Sequence, residues 1–197
     1  MNTKKTHQWH LENFKTEVWA CVENVFTSEE IDKIIESGNK EDIFQAEVGS
    51  LNNISKNIRN TDISWINSSD EDNEWIFHRL TDVIIFVNNK YFYLDITTIQ
   101  TLQYSIYHEG GLFKDHVDME NISAMGVRKL SFSVILTDPE EYEGGELLLK
   151  ISSKPITTSN KKGNIIFFPS YVLHEVTPVT KGTRKTLVGW VLGPRFR

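Results

Sequence analysis

The spacing of apolar residues changes character near residue 95. Before it, two stretches have a helical period. Ile31, Ile34 and Ile35 form one face after Thr27-Ser28-Glu29-Glu30. Thr27 or Ser28 can cap this helix, and Glu30 stands three residues after Thr27, as in a capping box. Gly38 is expected to end it. Ser68-Ser69-Asp70 precedes a second helix, from about Asp72 to Asn88, in which Trp75, Ile76, Leu80, Val83, Ile84 and Val87 recur at three and four. Residues 47–62 between them are polar and Asn-rich, and read as a mobile loop.

From Leu94 onward the pattern is that of strands. Thr97–Tyr107 is rich in β-branched and aromatic residues, and Lys129–Val134 alternates polar with apolar. Glu146–Ile151 and Asn164–Phe168 read as more deeply buried strands, and two more follow near Leu173–Val179 and Arg184–Leu192. Gly110-Gly111, Gly144-Gly145, Lys162-Gly163 and Lys181-Gly182 punctuate them as turns. Strands at this spacing, with no helix between them, argue against a doubly wound parallel sheet. They predict a mainly β (α+β) fold, a jelly-roll core with N-terminal helices packed on one side. Residues 1–197 then form a single domain. Residues 1–93 are its helical support and 94–197 its core.

Composition narrows the function classes. The chain has 197 residues, enough to bury a core without staples. Its net charge of −6 argues against a broad nucleic-acid surface, though not against a local basic pocket. A single cysteine, Cys21, excludes an intrachain disulfide and favours a reducing compartment. It reads as a small buried hydrophobe. No stretch approaches a membrane span, and Met1–Gln8 lacks the apolar centre of a signal peptide. The expectation is a cytoplasmic protein without nucleic-acid or membrane partners.

Six histidines are the obvious candidates for chemistry. His7 and His10 lie in a polar segment, His78 in the second helix, and His108 at a turn, where solvation is the simpler reading. His116 and Asp118 differ. In an extended segment, residues two apart share a face. With His174 they would give two imidazoles and a carboxylate, the facial set of non-haem iron(II) sites. On spacing alone, His-x-Asp is as readily a pair in a surface turn. Arg184 adds to the case. If Thr180-Lys181-Gly182 is a three-residue hairpin loop with Gly182 left-handed, Pro178 pairs with Arg184, and Arg184 shares the face of His174. Thr186, Val188 and Trp190 continue along that face. An inward arginine calls for an anion, because an unpaired buried charge is costly. A dicarboxylate with one end on the metal would meet that need, and a guanidinium binds a carboxylate bidentately. A loop of two or four residues would turn Arg184 away, and pairing with an acidic neighbour at the sheet surface is the simpler alternative.

Taken together, several blocks between Ile99 and Trp190 resemble one family. They are Tyr107-His108-Glu109-Gly110-Gly111 leading to His116-Val117-Asp118, Arg128-Lys129-Leu130-Ser131, Tyr142-Glu143-Gly144-Gly145-Glu146-Leu147, Lys162-Gly163-Asn164 with Phe167-Phe168-Pro169, and His174–Val179 with Gly182 and Arg184. Their order and spacing are similar to those of the 2-oxoglutarate- and iron(II)-dependent oxygenases of the prolyl 4-hydroxylase-like branch. Arginine rather than lysine at position 184 draws the likeness toward the PKHD-type subgroup. The C-terminal extension of several PKHD-type relatives is not seen in this sequence.

The resemblance implies a double-stranded β-helix, the cupin-like jelly roll. It implies iron(II) on His116, Asp118 and His174, and 2-oxoglutarate held by Arg184, with Tyr107 and Thr186 assisting. It also implies O2 as co-reactant and ascorbate as reductant. Arg128 and Trp190 match substrate-facing positions, and Arg59, in the expected loop, is a third candidate. The implied reaction is hydroxylation of a prolyl residue in a protein or peptide, with release of succinate and CO2. Two alternatives stay open: an oxygenase acting on a free amino acid or other small molecule, and a non-catalytic jelly-roll binding module.

Overall fold

A computed structural model of the chain describes residues 16–46, 55–120 and 126–195. The elements in chain order are β1 (Ala20–Val22), α1 (Ser28–Lys40), β2 (Phe44–Gln45), β3 (Arg59–Asn60), β4 (Asp62–Ile66), α2 (Glu74–Val87), β5 (Thr98–Ile99) and β6 (Leu102–Tyr107). There follow β7 (Leu112–His116), β8 (Val127–Ile135), β9 (Tyr142–Gly144), β10 (Leu147–Leu149), β11 (Ile156–Thr157), β12 (Ile165–Pro169), β13 (His174–Val176), β14 (Val179–Gly182) and β15 (Arg184–Gly193).

The strands form two facing sheets. The major one runs β1-β12-β8-β15-β6-β4-β2, with β5 beside β15. The minor one runs β11-β10-β13-β7-β3, and β9 and β14 form a separate pair. All pairings in the major and minor sheets are antiparallel. This is the expected jelly-roll, cupin-like core.

Period-two alternation decides what each face of the major sheet meets. Leu102, Tyr104 and Ile106 of β6, Phe132 and Val134 of β8, Phe167 of β12 and Leu187 of β15 face the helices. They pack there on Ile31 and Ile34 of α1 and on Ile76, Leu80, Ile84 and Val87 of α2. The residues between them, Gln103 and Tyr107 on β6 and Arg184, Thr186, Val188 and Trp190 on β15, face the space between the sheets. Phe132 and Phe167 are fully buried.

Helix α1 starts as its sequence dictates. Thr27 accepts from the Glu30 N–H at 3.2 Å, and the Glu30 carboxylate accepts from the Thr27 N–H at 2.9 Å. Its end differs from expectation, because the helix runs through Gly38 to Lys40. Gly38 is there for packing. A Cβ on it would fall 2.4 Å from the Tyr104 ring, so only glycine lets α1 lie this close to the sheet. The second helix opens with a 3-10 turn, Glu71–Asn73, and ends in a π turn, Asn88–Phe92. Cys21 is only partly buried, and Asn164 Nδ2 donates to its Sγ at 3.6 Å.

The first 93 residues are not solely helical. β1, β2 and β4 join the major sheet and β3 joins the minor sheet. Part of the expected loop 47–62 is therefore strand. Residues 47–54 lie outside the described residues, whereas Arg59–Asn60 pairs with β7 and Asp62–Ile66 with β6. A near-continuous stretch from Arg59 to Ile66 thus passes from one sheet to the other along one side of the barrel. The alternation in Asp62-Ile63-Ser64-Trp65-Ile66 was the available signal.

The hairpin expected around residues 180–182 does not form. Gly182 has the left-handed φ of 76°. However, β14 pairs with β9, β13 belongs to the minor sheet, and β15 to the major sheet. Arg184 pairs with Tyr107 rather than Pro178. The chain crosses between sheets here, so no loop length could set the face of Arg184.

Candidate active site

The sheets enclose a cavity of about 690 Å³. The minor sheet supplies His116 from the end of β7 and His174 from the start of β13, paired across adjacent strands. Asp118 follows β7 and is fixed through its backbone: the Asp118 and Met119 N–H groups both donate to the Ser170 carbonyl, at 3.0 and 2.8 Å. The Asp118 carboxylate lies 3.6 Å from His116 Nε2 and 3.5 Å from His174 Nε2. All three donor atoms fall within 4.8 Å of one another.

Backbone hydrogen bonds define the state of both imidazoles. His116 Nδ1–H donates to the Lys114 carbonyl at 2.7 Å, and His174 Nδ1–H to the Val172 carbonyl at 2.9 Å. Each Nε2 lone pair is left pointing at the carboxylate. This second-sphere arrangement orients metal-binding histidines. His116 is also held by its face, stacked on Phe113 at 3.5 Å with 16° between the rings. Burial, followed by the neighbouring His174, lowers the His116 pKa to about 4, although Asp118 acts in the opposite sense. The ring is therefore neutral, as a ligand must be.

Across the cavity, Arg184 is buried on β15, its guanidinium carbon 5.4 Å from the centre of the Tyr107 ring. Among the described residues no carboxylate lies within ion-pair distance of it. Thr186 Oγ1 is buried beside it with no hydrogen-bond partner among the described residues. Gly145 makes room for this side chain: its φ is +64°, and a Cβ there would meet Arg184 Cδ at 2.9 Å. The donor set and this anion-seeking pocket fit a divalent cation with a dicarboxylate bound between metal and arginine.

His116, Asp118, His174, Tyr107, Arg184, Thr186, Arg128, Trp190 and Arg59 all line this one cavity. The last three are engaged. Arg59 donates to Gln103 Oε1 at 3.1 Å and lies 4.5 Å over the Phe113 ring. Arg128 Nε donates to Gln100 Oε1 at 2.8 Å, faces Glu120 at 3.4 Å, and stacks 4.0 Å over Trp190. The Trp190 Nε1–H is buried with no hydrogen-bond partner among the described residues. His78 and His108 are exposed and pair with Glu74 and Asp62 at 3.3 and 3.6 Å. His7 and His10 lie outside the described residues. Sequence reading missed Phe113, Gln103 and Trp65 as cavity residues. The strand alternation of residues 102–107 could have found Gln103.

Two imidazoles and a carboxylate opposite a buried arginine inside a jelly roll resemble the sites of the non-haem iron oxygenases. Residues 102–192 match the family model of the 2OG-Fe(II) oxygenase superfamily. Over these residues the chain resembles that superfamily, and the resemblance runs to the PKHD-type hydroxylases. One of these, from Acaryochloris marina, is 42% identical over 95 residues, 48% of this chain and 42% of that protein. Another, from Prochlorococcus marinus, is 38% identical over 93 residues, 47% of this chain and 42% of that protein. The matches thus span about two fifths of these relatives' own length.

Solved structures share the fold. A Pseudomonas putida prolyl-4-hydroxylase superposes with a TM-score of 0.73 at 19% identity, covering 90% of this chain and 94% of that one. A Trichoplax adhaerens prolyl hydroxylase in complex with a hypoxia inducible factor peptide fragment gives 0.74 at 17% identity, covering 89% and 84%.

Proposed function

We propose that the chain is a 2-oxoglutarate- and iron(II)-dependent dioxygenase that hydroxylates a prolyl residue in a protein or peptide, releasing succinate and CO2. The observation that supports it most is the joint arrangement of His116, Asp118 and His174 opposite the buried Arg184, which has no carboxylate within ion-pair distance among the described residues.

In this reading His116, Asp118 and His174 hold iron(II) by Nε2 and carboxylate oxygen. Arg184 binds the far carboxylate of 2-oxoglutarate, and Thr186 Oγ1–H and Tyr107 add hydrogen bonds. Bound iron supplies oxygen activation coupled to cosubstrate decarboxylation. The chain's own contribution is placement and charge. Arg184 offsets the excess negative charge of Asp118 and the cosubstrate over the metal, and the buried pocket keeps water from the reacting centre. Arg59, Arg128 and Trp190 line the substrate side. Exposed Phe44, Ile58, Val117 and Met119 add an apolar rim to the cavity, suited to a polypeptide segment. Ascorbate is the expected reductant. No described helix is long and apolar enough to cross a membrane.

The test is turnover. Protein with iron(II), ascorbate and 2-oxoglutarate releases succinate, and Asp118→Ala does not. No metal binding and no succinate with any candidate would sink the enzyme reading. A +16 Da mass shift on proline-containing peptides, absent with free proline, distinguishes a peptide substrate from a small one.

A further inference from the structure

Strand β7 does not run evenly against β13. His174 pairs with His116, and Val176 with Phe113. Glu175 alone therefore stands opposite two residues, Lys114 and Asp115. This is a β-bulge, which re-aims side chains next to active sites. In an even strand, residues three apart point to opposite faces. The bulge brings Phe113 and His116 to one face, where their rings stack. It also turns the Lys114 carbonyl onto His116 Nδ1–H. The bulge thus sets both the face and the edge of the His116 ring.

Lys150, just past β10, ties this bulge down. Its N–H donates to the Leu173 carbonyl at 2.8 Å. Its Nζ lies 2.5 Å from the Asp115 carboxylate and 3.0 Å from that of Glu175. Asp115 is one of the bulged residues, and Glu175 is the residue opposing them. One ammonium therefore joins β10, β13 and β7 where the two histidines sit.

We propose that Lys150 is a positioning residue for His116, holding the bulge that aims the imidazole at the metal. This rests on the reading of His116, Asp118 and His174 as the metal site. Partly exposed ion pairs add little to stability, so the role is geometric. Its sign is diagnostic. Removing a cation near a divalent ion raises affinity if only charge matters, whereas loosening His116 lowers it.

The experiment is titration of the metal-free full chain with cobalt(II), followed by the visible absorption of the bound ion. Loss of second-sphere support weakens metal binding roughly 10- to 100-fold. Lys150→Met is expected near the lower end, about tenfold, with a shifted spectrum and an unchanged metal-free melting temperature. Lys150→Arg restores both affinity and spectrum, and Asp115→Asn reproduces the loss. Lys181→Met, which removes a surface pair with Glu143, leaves binding unchanged. Wild-type affinity and spectrum, or tighter binding, in Lys150→Met overturn the proposal, as does an equal loss in Lys181→Met. If the wild-type chain itself binds no cobalt(II), the metal-site reading fails, a result distinct from failure of the Lys150 role alone.

Discussion

The two sheets that enclose the cavity are built on different terms. In the major sheet, β8 and β15 stay paired from Ile135 opposite Thr186 to Val127 opposite Gly193, with one shift in register. Its outer face is sealed by two helices over fully buried Phe132, Phe167 and Leu187. In the minor sheet, β7 and β13 share only two register pairs around a bulge, and β10 and β13 are three residues each. Yet the minor sheet carries both histidines. The proposed metal ligands sit on or beside the sheet with less core behind it, and the proposed anion pocket on the sheet with more. Side chains that recognise a fixed carboxylate gain from a rigid, long-registered strand. Ligands that must converge on one point need local departures from regularity, here a bulge and tight turns.

This division makes stability and chemistry separable. Asp118→Ala should abolish cobalt(II) or iron(II) binding and succinate release while leaving the metal-free melting temperature near wild type. Phe167→Ala, on the other sheet, should cost about 3–5 kcal/mol by urea denaturation. Equal losses of stability in the two variants would erase the comparison. Next in size, Arg184→Ala should raise the apparent KM for 2-oxoglutarate roughly 10- to 100-fold, the worth of a charged hydrogen bond, with cobalt(II) affinity unchanged. A metal defect in that variant would show that the two sheets do not divide the work.

Acid should act mainly through the minor sheet. With its pKa lowered to about 4, His116 takes up its proton more readily unfolded, near 6.5. Between those values the unfolded chain binds more protons, so stability falls as pH falls from about 6.5 to 4. The difference between metal-free wild type and His116→Gln should show this slope, and a flat difference would remove it. The smallest effect belongs to the helical layer. Thr27→Ala removes a cap worth about 1 kcal/mol, with no change in metal affinity.

Helices and buried strands were legible because their signals are local. The Thr27–Glu30 capping box is written in four residues, and the alternation in β6 and β15 fixes which side chains face the cavity. The cluster His116, Asp118 and His174 was legible as chemistry. Arg184 does face the same cavity, but by a route other than the one expected, since the hairpin expected to carry it does not exist. The chain instead crosses between sheets after Gly182, and Arg184 reaches the cavity beside Tyr107. The short strands β2 to β4 were not read, because strands of two to five residues take their structure from partners distant in sequence.

By itself, then, the sequence determined the helix starts, the β-rich core and which residues carry charge and imidazole into it, since each depends on neighbours a few positions away. The tertiary structure alone decided that β13 and β15 face each other from different sheets, that Gly38 admits the Tyr104 ring, and that the bulge at Lys114–Asp115 turns His116 toward Asp118. Those are consequences of pairing between segments tens of residues apart, where register is set by packing rather than by local preference.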